Sequence, residues 1–206
     1  MANALKKVMQ VVTVVKNHNK LKHTIMKKLL VILVIALSVV QSQAQFTKAT
    51  LQATGLTCAM CSNAINKALQ KVSFVESVTP DIKNSAFHIV FKTNTEIDID
   101  ALKNAVDDAG FSVGSLELTG KFSEVKIQKD QHIKIGNENF HFLNANNQLL
   151  SGEQTITVVD KNFVTEKQFK KYSSTTKMSC LQTGKAEACC VKDDIAAGER
   201  VYHVII

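Results

Sequence analysis

At 206 residues, with 45% hydrophobic residues, a single proline and no tryptophan, the chain has room for one or two small domains. Its formal charge of +7 suggests a polyanionic partner, but residues 1–44 hold seven lysines and no acid, and beyond them 18 basic residues balance all 18 acidic ones. No basic patch remains to attract a nucleic-acid backbone, so the charge belongs to a targeting segment.

Met26-Lys27-Lys28 precedes an apolar run over 29–37, extended by Ser38-Val39-Val40 and then by Gln41-Ser42-Gln43-Ala44. A short positive stretch, a dozen apolar residues and a small-x-small ending predict a signal peptide cleaved after Ala44. The run falls short of the roughly 20 residues a membrane-spanning helix needs. Residues 1–25 fit no such leader, so the natural start is expected at Met26. All five cysteines (58, 61, 180, 189, 190) follow the leader, which predicts a periplasmic or secreted protein whose thiols tend toward disulfides.

Residues 47–54 alternate as a half-buried strand, with Ala49, Leu51 and Ala53 on one face. Gly55-Leu56-Thr57-Cys58-Ala59-Met60-Cys61 follows, and then a helical run over 62–71 with Ala64, Ile65, Ala68 and Leu69 inward. Strands are predicted over 72–78 and 86–92, and a helix over 101–109 capped by Asp98 or Asp100 and stopped by Gly110. A last strand spans 111–118. The order βαββαβ predicts a ferredoxin-like α+β sandwich over residues 46–120.

Cys58 and Cys61 stand three positions apart where the first helix begins, where unpaired N–H groups and the helix dipole favour thiolate. Soft thiolates select soft ions, and two sulfurs without histidine or acid in the motif suit a low-coordinate monovalent ion; zinc usually asks for four ligands. Met60, between them, is a weaker third ligand candidate, and Thr57 is expected to hold the loop by hydrogen bonding. The same pair could run disulfide chemistry or form a structural staple. Disulfide oxidoreductases, however, usually flank their motif with tryptophan and set a proline against the sulfurs, and here the lone Pro80 is distant in sequence.

The motif on this topology, with a second helix ending Asp-Asp-Ala-Gly-Phe, resembles the heavy-metal-associated domain family of copper chaperones, copper-ATPase modules and the periplasmic mercuric-ion-binding protein. The resemblance implies a metal-ligand role for Cys58 and Cys61. It also implies that Leu56, in place of the family's methionine, packs beneath the loop, and that Phe111 at most shields it.

Residues 121–206 read as a second, β-rich domain, a small antiparallel barrel or sandwich resembling an OB-fold. Strands are predicted over 125–128, 132–135, 140–143, 155–159 and 202–206, with a helix opened by Thr165-Glu166-Lys167-Gln168. Cys180, Cys189 and Cys190 fall in a loop, as a disulfide staple or as a second thiolate site for metal or for resolving the first pair. His88, His132, His141 and His203 are scattered and expected to be surface or satisfied core residues. Asp107-Asp108 and Asp193-Asp194 are expected to be solvated. No phosphate loop, nucleophile elbow or zinc-protease histidine pair occurs, so no enzyme is predicted. The function expected is binding of Cu(I), with Hg(II) or Zn(II) as other candidates, and ligand exchange with donor and acceptor proteins of the cell envelope. The alternatives are a thiol–disulfide oxidoreductase and an interaction module stapled by disulfides.

Overall fold

Strand β1 (Gln45–Thr54) carries the alternation expected of it, burying Phe46, Ala49, Leu51 and Ala53. The computed structural model describes residues 45–206 other than Thr57. The expected leader over 1–44 and the expected role of Thr57 lie outside the described residues. After β1 come α1 (Ala59–Gln70), β2 (Val75–Asp81), β3 (Ala86–Phe91), α2 (Ile99–Asp108) and β4 (Ser112–Ile127). The chain continues through β5 (Gln131–Ile135), β6 (Glu138–Phe142), β7 (Gln148–Val158), α3 (Glu166–Ser173), the short α4 (Cys180–Thr183) and β8 (Val201–Ile205).

The first half is βαββαβ. Ser62, Ile65 and Leu69 form the buried stripe of α1, while Ala64, expected inward, is exposed. In α2, Ile99, Leu102 and Val106 are buried and the Asp98 carboxylate accepts from the Ala101 N–H at 3.1 Å, settling which aspartate caps it. The capping box of α3 is also present: Thr165 Oγ1 accepts from the Gln168 N–H, and Gln168 Oε1 accepts from the Thr165 N–H.

The second half departs from expectation. It forms no closed OB-like barrel among the described residues but extends the same sheet, in the order β2-β3-β1-β4-β7-β8-β6-β5. The boundary placed between residues 120 and 121 falls inside β4, a 16-residue strand that pairs with β1 on one edge and β7 on the other. Gly120, at the expected domain end, is there for close approach: a Cβ would meet the Gln45 carbonyl oxygen at 2.7 Å and Phe46 Cδ1 at 3.0 Å. A bulge between Phe122 and Val125 then turns the strand without ending it. Pairing is antiparallel except between β6 and β8, so the sheet is mixed and the fold α+β.

One core runs beneath both halves, joining Leu51, Ile65 and Leu102 to Phe140, Phe163 and Tyr202. Polar contacts reinforce that joint. The Arg200 guanidinium donates to both Asp100 oxygens at 2.8 and 3.2 Å, and the Asp100 N–H donates to the Tyr202 hydroxyl at 3.2 Å. Glu138 is less well placed. Burial first, and the Asp98 and Asp100 carboxylates second, push its carboxyl up to about 7 from 4.5. The folded state keeps that proton where the unfolded chain has released it, so stability is lost as pH rises through this window. Glu138→Gln is expected to add about 1–2 kcal/mol near pH 8, allowing for partial exposure, and nothing near pH 4. Urea denaturation at the two pH values checks both.

Candidate metal centre

Gly55 ends β1 and Cys58 takes the N-cap position of α1 with extended backbone (φ −157°, ψ 163°). Its carbonyl accepts from the Cys61 and Ser62 N–H groups at 3.1 and 3.4 Å, closing the first turn. That turn brings the two Sγ atoms to 3.0 Å, with Cys58 exposed and Cys61 half-buried. Two thiolates sharing an ion at about 2.3 Å each would stand roughly 3.8–4.6 Å apart, from tetrahedral to linear geometry. The exposed Cys58 side chain can open by that margin without disturbing the core. No acidic side chain occupies the first turn, so the positive end of the helix dipole is uncompensated there.

The residues around the pair are positioned by packing. Leu56 is partly buried against the core, as expected of the residue beneath the loop. Phe111 packs on the same core, with its ring edge 4.0 Å from where a Gly55 Cβ would lie, at the side of the loop. Met60 is 82% exposed. Nothing holds its thioether near the sulfurs.

The other cysteine group lies elsewhere. Cys180 and Cys190 are buried, Cys189 is half-buried, and all three are free thiols within 4.8 Å of one another. Burial, followed by the neighbouring Cys190 and Cys189, pushes the Cys180 thiol up. Burial also acts upward on Cys189, but hydrogen bonds from the Cys180 backbone and adjacent thiols outweigh it and leave that thiol below its ordinary value.

Three histidines expected to be scattered gather at Cys180. His132, His141 and His203 are buried, with ring nitrogens 3.7, 3.8 and 3.4 Å from its sulfur. Asp193, expected solvated, lies 2.7 Å from His132 Nδ1. Of these four histidines, His88 is the one at the surface, 3.4 Å from the Thr50 hydroxyl. The missed signal was a histidine flanked by apolar residues in each of two strands, Phe140-His141-Phe142 and Tyr202-His203-Val204, with His132 leading Ile133 in a third.

A ferredoxin-like unit with a dithiol exposed at the head of its first helix has the architecture of a soft-metal-binding module. The chain belongs to the heavy-metal-associated domain family: that family's profile matches residues 50–112. It is 34% identical over 86 residues to the mercuric transport protein periplasmic component of Shigella flexneri, covering 42% of this chain and 93% of that one. It is 27% identical over 71 residues to the "Probable copper-transporting ATPase HMA5" of Arabidopsis thaliana, spanning 34% of this chain but only 7% of that relative. Among solved structures, a copper binding domain from HMA7, a P-type ATPase, is 32% identical, covering 35% of this chain and 92% of that domain, with a TM-score of 0.30. Among the described residues no helix is long and apolar enough to cross a membrane.

Proposed function

We propose that the chain is an exported carrier that takes up a soft ion, Cu(I) or alternatively Hg(II), between Cys58 and Cys61 and passes it on without catalysing a reaction. The observation that carries this reading is the pair of sulfurs 3.0 Å apart at an exposed helix start. The names of the relatives, a periplasmic mercuric component and a copper-transporting ATPase, support the cargo class. The signal-like segment over 26–44 supports export to the periplasm or beyond. Buffering, delivery and detoxification in the envelope all use the same step.

That step is ligand exchange. An incoming thiolate or thioether from a donor or acceptor protein approaches from the side of exposed Cys58, while half-buried Cys61 holds the ion. Each displaced sulfur is replaced before the next leaves, so the ion is never bare. Titration of the reduced chain with Cu(I), and separately with Hg(II), against a competing chelator is expected to give one tightly held ion at the pair. Absence of competition by the chain removes the reading. Turnover of a dithiol substrate to disulfide would replace it with redox chemistry. N-terminal sequencing of exported material is expected to begin at Gln45.

A further inference from the structure

Sheet register, not sequence proximity, assembles the second cluster. His132 on β5 sits opposite His141 on β6, and His141 sits opposite His203 on β8, so the three imidazoles form one row across adjacent strands. Their centroids are 4.5 and 5.0 Å apart along the row. The row lies on the face away from Phe140 and Tyr202, since neighbouring strand residues point to opposite sides. The first residue of α4, Cys180, covers it, and His132, His141 and Cys180 present ligand atoms within 4.8 Å of one another.

Each ring is held by a carboxylate on the nitrogen facing away from the sulfur. Asp193 lies 2.7 Å from His132 Nδ1, Asp130 lies 3.2 Å from His141 Nε2, and Asp160 lies 2.6 Å from His203 Nδ1. An ionised carboxylate only accepts, so those nitrogens carry hydrogen. With the hydrogen placed there, the inward nitrogen of each neutral ring is a lone pair facing the sulfur. Three lone pairs then face one thiol, which has a single hydrogen to offer. The deficit of two donors is buried, where an unmet acceptor is costly, and Asp130, Asp160 and Asp193 stand around it, Asp160 also paired with the Arg200 guanidinium at 2.8 Å.

We propose that His132 Nε2, His141 Nδ1 and Cys180 Sγ are the preassembled part of a second metal site for a borderline-soft divalent cation, Zn(II), and that His203 Nε2, 3.4 Å from the sulfur but outside that mutual cluster, swings in as the fourth ligand when the ion binds. Zinc at about 2.0–2.1 Å from nitrogen and 2.3 Å from sulfur puts tetrahedral N···S edges at roughly 3.5 Å, against the observed 3.7, 3.8 and 3.4 Å. One cation satisfies all three lone pairs and displaces the thiol proton to solvent, one proton per ion bound. The carboxylates fix tautomer and ring orientation, as outer ligands of metal-bound histidines do. This site does not depend on the function proposed for Cys58 and Cys61.

The test uses the full chain with Cys58→Ser and Cys61→Ser, which empties the first site. Co(II), a spectroscopic substitute for Zn(II), is expected to bind once per chain with tetrahedral d–d bands and a sulfur-to-cobalt charge-transfer band, and Zn(II) is expected to displace it. Zinc-edge X-ray absorption on the same protein is expected to report three nitrogens and one sulfur. Cys180→Ser abolishes the charge-transfer band, Asp160→Asn weakens binding about 10–100-fold, and Cys189→Ser leaves the spectrum unchanged. A six-coordinate cobalt spectrum, two or more sulfurs at the zinc, or Cu(I) held against excess Zn(II) would overturn the assignment. Because the absorption measurement needs no change at the cluster, a variant that fails to fold does not protect the proposal.

Discussion

Cys58→Ser is expected to lower Cu(I) affinity by on the order of a thousandfold, about 4 kcal/mol, while raising the stability of the metal-free protein. The loss follows from replacing one of two soft ligands by a hard hydroxyl. The gain follows from the helix. Cys58 occupies the N-cap without making a side-chain cap hydrogen bond, whereas serine there bonds to a backbone N–H of the first turn and adds about 0.5–1 kcal/mol. A tighter fold with weaker binding cannot be explained by unfolding. Cys61→Ser is expected to lose comparable affinity without that gain, since it lies within the helix. Met60→Ala is expected to change affinity by less than about threefold, under 1 kcal/mol, because its side chain stands in solvent. Chelator competition and thermal melts on the three variants check the pattern. Retention of full affinity by either serine variant would detach the function from this pair.

The same contrast marks what the sequence made legible. The cysteine pair, its helix and the βαββαβ order are local features: a three-residue spacing, an alternation, a 3.6-residue period. The Asp98 cap and the Thr165/Gln168 box could likewise be read within four residues. The histidine row could not, because the parallel pairing of β6 with β8 joins residues about sixty positions apart, and that register is set by packing over the whole sheet. Sequence spacing asks for ligands near one another along a chain; here adjacent strands supply them. The domain boundary after residue 120 failed for a related reason. A strand end is expected at residue 118, but Gly120 admits the backbone and ring of β1, and the buried alternation of β4 runs through it from Leu116 and Leu118 to Phe122.

Phe46→Ala is expected to destabilise the protein by about 3–5 kcal/mol, the range for removing a buried aromatic ring. Phe46 is 5% exposed and makes edge-to-face contacts with Phe140 at 5.3 Å and Phe122 at 6.0 Å. Those rings come from β6 and from the far stretch of β4, so the lost volume lies where the two halves share one core. The surrounding strands are paired on both edges and cannot easily close over it. Leu149→Ala, at a position 61% exposed, is the control and should stay within about 0.5 kcal/mol. Urea denaturation followed by tyrosine fluorescence and by far-ultraviolet dichroism should give coincident, single transitions for the wild type, because β4 belongs to both halves and cannot unfold from one alone. Two separated wild-type transitions, or a Phe46→Ala cost near that of the control, would mean that the halves fold as independent domains and that the continuous sheet is not what stabilises them.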